Sequence, residues 1–274
     1  MPVASSYPPV KVPEVDIWDF LFERKDKPFP DDKSAFIPNL SCCDCLLTSP
    51  VIYQDADTQR YYTYQSLKEA ALTFGKGLKA VFDWKKGDVL ALFTPNSIDT
   101  PVLTWGTHWA GGVVSPANPA YTVEELAFQL KNSGAKALAT HMSVLKVAEE
   151  AAQKAGISRD RVMLIGDERH PENRVKHFTS IRNISGATRF RKTKIDPRKD
   201  LAFLVYSSGT TGLPKGVRLS HRNIVANNLQ LEAGEAGNLS WNGNADGKGD
   251  RILAFLPFYH IYGTSAIAFK KETC

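Results

Sequence analysis

Short apolar runs alternate with amphipathic stretches along most of this chain of 274 residues. Leu67, Ala70, Ala71, Phe74, Leu78 and Val81 recur at helical spacing, Gly87 and Asp88 make a turn, and residues 89–93 read as a buried strand. The rhythm repeats with a helix over 102–110, a Gly111-Gly112 stop and a short strand at Val113 and Val114. Thr122-Val-Glu-Glu125 has capping-box form and opens a helix closed at Asn132-Ser-Gly134, before a strand over 136–140. A third helix over 144–155 ends at Gly156, and a strand follows over 161–165. A polar excursion then leads to an apolar run over 201–206, and a helix is expected over 223–233. A further buried strand is expected over 251–256. Helices alternating with short apolar strands predict an α/β fold, layered αβα with largely parallel sheets.

Two strand ends carry candidate chemistry. The run over 201–206 delivers Ser207-Ser-Gly-Thr-Thr-Gly-Leu-Pro-Lys215, in which Gly209, Gly212 and Gly216 permit close backbone approach to a ligand. Ser207, Ser208, Thr210 and Thr211 add hydroxyl donors, and Lys215 adds a mobile positive charge suited to phosphate oxygens. A P-loop of the Walker type is excluded by spacing, because Lys215 precedes Gly216 and no hydroxyl follows it. A plain surface turn is the alternative reading. The run over 251–256 delivers Pro257-Phe-Tyr-His-Ile-Tyr-Gly263, where His260 can orient a carboxylate and Phe258, Tyr259 and Tyr262 offer flat walls for an acyl or aryl tail. A satisfied structural histidine is the alternative for His260. His108 and His141 show no partner in the sequence, and His221 reads as a packing residue at the start of a helix.

Composition narrows the picture modestly. The chain is 43% hydrophobic and 23% charged, which suits one large or two small globular domains. Its net charge is +5, from 34 basic and 29 acidic residues. The cluster Arg182, Arg189, Arg191, Lys192, Lys194, Arg198 and Lys199 holds a single interleaved aromatic, Phe190, too few for a base-stacking surface, so it reads as a solvated connection rather than a nucleic-acid surface. Cys42, Cys43, Cys45 and Cys274 form neither a disulfide framework nor a zinc site. No apolar run is long enough to span a bilayer and no secretory signal is visible, so an intracellular protein is expected.

The stretch from Tyr206 through Lys215 to Gly216-Val-Arg-Leu-Ser-His-Arg-Asn223 resembles the signature of the adenylate-forming, AMP-binding superfamily. That superfamily includes acyl-CoA synthetases, 4-coumarate–CoA ligases, luciferases and peptide-synthetase adenylation domains. Residues 257–263 resemble the second motif of the acyl-CoA and coumarate ligase branch, Leu-Pro-x-x-His-x-x-Gly, and Gly111-Gly-Val-Val-Ser-Pro-Ala-Asn-Pro119 resembles a further block of those ligases. The resemblance implies activation of a carboxylic acid by ATP to an acyl-adenylate, then thioester formation with coenzyme A. It implies phosphate binding by Ser207, Ser208, Gly209, Thr210, Thr211, Gly212 and Lys215, with Thr210 or Thr211 meeting Mg2+. Lys215 and His260 are the implied catalytic residues, and Phe258, Tyr259, His260, Tyr262 and Gly263 the implied acid-binding ones.

The resemblance spans about the first half of the family's architecture. It implies that 1–274 is a partial N-terminal AMP-binding domain without its later subdomain and its C-terminal lid, inactive as a ligase alone. Residues 38–54 interrupt the resemblance and read as an insertion or a gene-model artefact. A non-catalytic fragment that binds nucleotide phosphates or a partner is the alternative. Cytoplasmic and peroxisomal locations are equally compatible, and neither the acid nor the oligomeric state can be read from the chain.

Overall fold

The structure is a computed structural model, and it describes residues 7, 9–24, 51–207, 214–235 and 252–264. Two strands, β1 (Val51–Gln54) and β2 (Tyr61–Thr63), form a small antiparallel sheet. Of the stretch 38–54 expected as an insertion, 51–54 form β1 with Ile52 and Tyr53 buried, and the rest lies outside the described residues.

Helix α1 (Tyr64–Phe82) starts at a reciprocal cap. The Ser66 amide donates to the Thr63 hydroxyl at 3.1 Å and the Thr63 amide to Ser66 Oγ at 2.9 Å. Its inner stripe runs through Leu67, Phe74 and Leu78 to Phe82. Val81, expected in that stripe, is 46% exposed, because the step of four from Leu78 to Phe82 holds the inward face. Strand β3 (Val89–Phe93), helix α2 (Thr100–Trp109) and strand β4 (Val113–Ala117) follow. The two helices cross at glycine: a Cβ on Gly75 would lie 2.5 Å from the Gly106 carbonyl oxygen, and one on Gly106 would lie 2.5 Å from that of Ala71.

Helix α3 (Val123–Ser133) carries the expected capping box between Thr122 and Glu125 and ends at Gly134 in the left-handed region, φ 66°. Strand β5 (Ala135–His141), helix α4 (Leu145–Ala155) and strand β6 (Val162–Ile165) complete that half. Within the polar excursion lies a short strand, β7 (Lys176–His177), that the hydropathy pattern does not reveal. Strand β8 (Leu201–Ser207) is followed by β9 (Lys215–Ser220) and helix α5 (His221–Glu235), which begins two residues before the expected start.

The main sheet has seven strands in the order β7-β6-β5-β3-β4-β8-β9. Every pairing is parallel except β8 with β9. Central strands buried on both faces are what short, wholly apolar runs produce. Leu90 and Leu92 of β3 face one core with α1, α2 and α5, while Ala91 and Phe93 face the other with α3 and α4. The result is the three-layered α/β/α arrangement. Residues 252–256, expected as a buried strand, have no ladder partner among the described residues, and Leu253 and Phe255 stand 77% and 73% exposed. An apolar run does not by itself supply the neighbouring backbone that a strand needs.

The N-terminal segment lies against the first core through Ile17, Trp18, Phe20, Leu21 and Phe22. Part of the basic cluster holds it. Lys192 meets Asp16 at 2.5 Å and Asp19 at 2.7 Å, and Arg198 and Arg222 both meet Glu14 at 2.6 Å. Beneath this segment sit two buried imidazoles in edge-to-face contact, His108 and His221, with ring centroids 5.1 Å apart. His108 donates through Nε2 to the Ala202 carbonyl at 2.9 Å, and His221 Nδ1 accepts the Ile17 amide at 3.3 Å. The packing role expected for His221 is thus what the structure gives it.

Burial lowers the pKa of both rings to about 3; for His108 the neighbouring His221 adds to the effect. Lys192 and Lys86 oppose a proton on His221, while Asp200 favours one, and Asp16 favours one on His108. The unfolded chain therefore binds protons first, near pH 6.5, so the stability contributed by the neutral pair is complete above that pH and is lost as pH falls from there towards 3. Urea unfolding should weaken by up to about 1.4 kcal/mol per pH unit per imidazole across that window. His221→Gln should flatten the slope, and an unchanged slope would contradict the assignment.

Candidate active site at the carboxyl edge of the sheet

The six mutually parallel strands end on one edge, where ligands of open α/β sheets bind. Ser207 closes β8 at that edge and pairs across the ladder with Lys215, the first residue of β9. The hairpin thus brings the two ends of the glycine-rich loop face to face. Ser208, Gly209, Thr210, Thr211 and Gly212 lie outside the described residues. Lys215 is exposed, and among the described residues no carboxylate pairs with it, which leaves its ammonium available to an anion.

One step back along the ladder, Tyr206 pairs with Gly216. The tyrosine ring lies over the glycine, where an added Cβ would be 3.1 Å from its Cζ. Its hydroxyl donates to Asn132 Oδ1 of α3 at 2.6 Å. The hairpin is therefore tied both across its own strands and to the helix layer. Burial raises the phenol pKa of both Tyr206 and Tyr121, and for Tyr121 the Glu125 carboxylate adds to the effect.

The second motif docks on the loop that follows β3. The Asn96 side chain donates to the carbonyls of Ala254 at 3.0 Å and Leu256 at 2.8 Å, and accepts the Phe258 amide at 2.7 Å. Phe258 is buried and closes a narrow cavity of about 20 Å³ lined by Leu92, Trp105, Val114 and Phe203, room for about one water molecule. Thr264 Oγ1 donates to the Phe258 carbonyl at 2.6 Å. His260 is exposed and caps the single turn Ile261–Gly263, its Nδ1 accepting the Tyr262 amide at 3.3 Å. Tyr259 is half-buried and Tyr262 is 59% exposed. A Cβ on Gly263 would lie 2.1 Å from the Pro257 carbonyl oxygen, so the tight turn requires glycine.

The same β3–α2 loop reaches the opposite flank through Asp99, which is wholly buried. It accepts Arg60 Nη2 at 3.0 Å, the Tyr62 hydroxyl at 2.8 Å and the Gly166 amide at 3.0 Å. Burial, with the Asp99 carboxylate beside it, pushes the Tyr62 phenol up and keeps it a donor. Asn96, Asp99 and Tyr121 escape a reading of motifs. Asn96 and Asp99 do follow an apolar run directly, the position at which strand-end ligand loops begin. Among the described residues no cluster of three metal-ligating side chains occurs, and no helix is long and apolar enough to cross a membrane.

The chain thus presents a mostly parallel α/β sheet edge that carries the two ends of a glycine-rich loop, and a further segment docked on the β3–α2 loop. A profile described as AMP-binding enzyme matches residues 30–269, and the chain belongs to that family. The 4-coumarate-CoA ligase 1 of Narcissus pseudonarcissus is 35% identical over 217 residues, covering 78% of this chain and 37% of that protein. The solved long-chain-fatty-acid-CoA ligase (FadD1) of Archaeoglobus fulgidus superposes with a TM-score of 0.71 at 21% identity, covering 98% of this chain and 47% of that one. ATP-bound MatB of Rhodopseudomonas palustris superposes with a TM-score of 0.64 at 24% identity, covering 94% and 43%. The chain thus spans about a third to a half of the length of these relatives.

The hairpin tie has a measurable worth. Tyr206→Phe keeps the ring over Gly216 and removes only the bond to Asn132, so it should cost about 1 kcal/mol in urea unfolding. Asn132→Ala should cost a similar amount and the double variant little more; fully additive losses would show that the two side chains do not act together.

Proposed function

We propose that this chain carries the phosphate-binding hairpin and the acid-binding segment of an ATP-dependent acid–thiol ligase of the acyl-CoA and 4-coumarate–CoA type. The pairing of Ser207 with Lys215, which meets no carboxylate among the described residues, at the carboxyl edge of a parallel sheet is the observation that carries this reading. The relatives named above, two of them CoA ligases and one solved with ATP bound, support it.

In the proposed reaction an oxygen of the substrate carboxylate attacks the α-phosphorus of ATP. A carboxyl–phosphate bond forms, the bond from the α-phosphorus to the bridging oxygen breaks, and pyrophosphate leaves with the electron pair. Lys215 and the donors of the loop hold the charge that gathers on the β- and γ-phosphates, a task for preorganised positive groups rather than for covalent chemistry. Thr210 or Thr211 would help to hold Mg2+, which would supply further positive charge against the phosphates. His260, exposed in the acid-binding segment, orients the carboxylate, and Phe258 and Tyr259 supply flat apolar surface to the tail. The activated acyl group then passes to the thiol of coenzyme A, with AMP released.

Titration of the purified chain with Mg·ATP in a calorimeter tests the phosphate-binding role. Lys215→Ala should weaken binding about tenfold, the worth of one charge-assisted contact at an exposed site. Equal affinity of the variant and the parent, or no binding by the parent, would contradict the reading.

A further inference from the structure

Residues 252–258 have no neighbouring strand among the described residues, and they bend rather than run straight, the Phe255 amide bonding back to the Leu253 carbonyl at 3.0 Å. Their backbone groups nevertheless meet a partner at every second residue. The carbonyl of Ala254, the carbonyl of Leu256 and the amide of Phe258 all converge on one side-chain amide, that of Asn96. In a straight strand, which rises about 3.3 Å per residue, groups on residues i, i+2 and i+4 would lie too far apart to meet one side chain, so the segment curls around Asn96. A primary amide suits the task because its two N–H donors meet two carbonyls while its oxygen accepts the N–H.

Such a contact sets register. A slip of one residue would bring different backbone groups to Asn96 and displace every side chain of the segment with them. Held this way, Leu253 and Phe255 stand exposed, Phe258 lines the cavity with Trp105 and Phe203, and Tyr259 is half-buried. The position of His260 follows, since its amide bonds to the Pro257 carbonyl at 3.1 Å within the same segment.

We infer that Asn96 is a positioning residue for the carboxylic acid: by fixing the register of residues 254–258 it sets where Phe258, Tyr259 and His260 face the substrate. The inference rests on the acid-binding role proposed for that segment. It distinguishes Asn96 from a residue that merely stabilises the domain, because its loss should affect the acid and spare the nucleotide.

Hydrogen exchange on the full chain reads the contact whether or not the chain turns over substrate. In Asn96→Ala, amides of 255–262 should exchange about tenfold faster, as expected for loss of the bonds from one amide, while those of Val89–Phe93 and Leu201–Ser207 stay unchanged. The nearly isosteric Asn96→Asp, which cannot donate to the two carbonyls, should move the same amides in the same direction. No change, or faster exchange throughout the sheet, overturns the register role. In a second arm, 4-coumarate and decanoate are each added to the parent chain. At least one should slow exchange at 258–262, with the concentration required rising about tenfold in Asn96→Ala and Mg·ATP affinity unaltered. Neither acid slowing exchange there, or a matched loss of nucleotide affinity, overturns the positioning role. Failure of the phosphate-binding reading shows separately, as absent Mg·ATP binding by the parent.

Discussion

The register between β8 and β9 is the constraint on which the candidate site depends. Pairing Ser207 with Lys215 decides that a serine hydroxyl and a lysine ammonium flank one loop at the edge of a parallel sheet. A shift of one residue would place Gly216 opposite Ser207 and turn Lys215 to the other face. Tyr206 holds this register by covering Gly216 and reaching α3 through its hydroxyl. The rest of the domain keeps β8 where that hairpin is useful, through β4 on one side and the buried His108 contact to Ala202 beneath it.

A second constraint comes from the loop after β3. One end of it, Asn96, grips the segment that carries Phe258 and His260, while the other, Asp99, grips the β1–β2 sheet through Arg60 and Tyr62. The loop is short and follows a strand buried on both faces, so both grips refer to the rigid centre of the sheet. A buried carboxylate such as Asp99 is tolerable only because guanidinium, phenol and backbone amide surround it. The N-terminal segment is fixed independently, by apolar burial and by Lys192, Arg198 and Arg222.

Much of the layered fold was legible in the sequence because burial on both faces leaves an unambiguous apolar run, as in β3 and β6, and because caps such as Thr122 with Glu125 and Gly134 are local chemistry. Strand β9 was not legible: Lys215–Ser220 is half polar and largely exposed, and becomes a strand only through β8. The reverse error befell 252–256, where an apolar run promised a buried strand and the described residues hold no ladder for it. Ser207 and Lys215 were legible from residue type and spacing. Asn96 was not, since its partners lie about 160 residues away and an asparagine after a strand has many local uses. The histidine pair shows the same limit, because nothing local links His108 to His221.

Hydrogen exchange with and without Mg·ATP tests the assignment of the β8–β9 hairpin most directly. Slower exchange confined to Ser207 and to 215–218, with α4 and β6 unchanged, is the expected result. Protection elsewhere that leaves the hairpin unaffected, or no protection at all at ATP concentrations that saturate the relatives, would contradict the claim that this hairpin grips the nucleotide's phosphates.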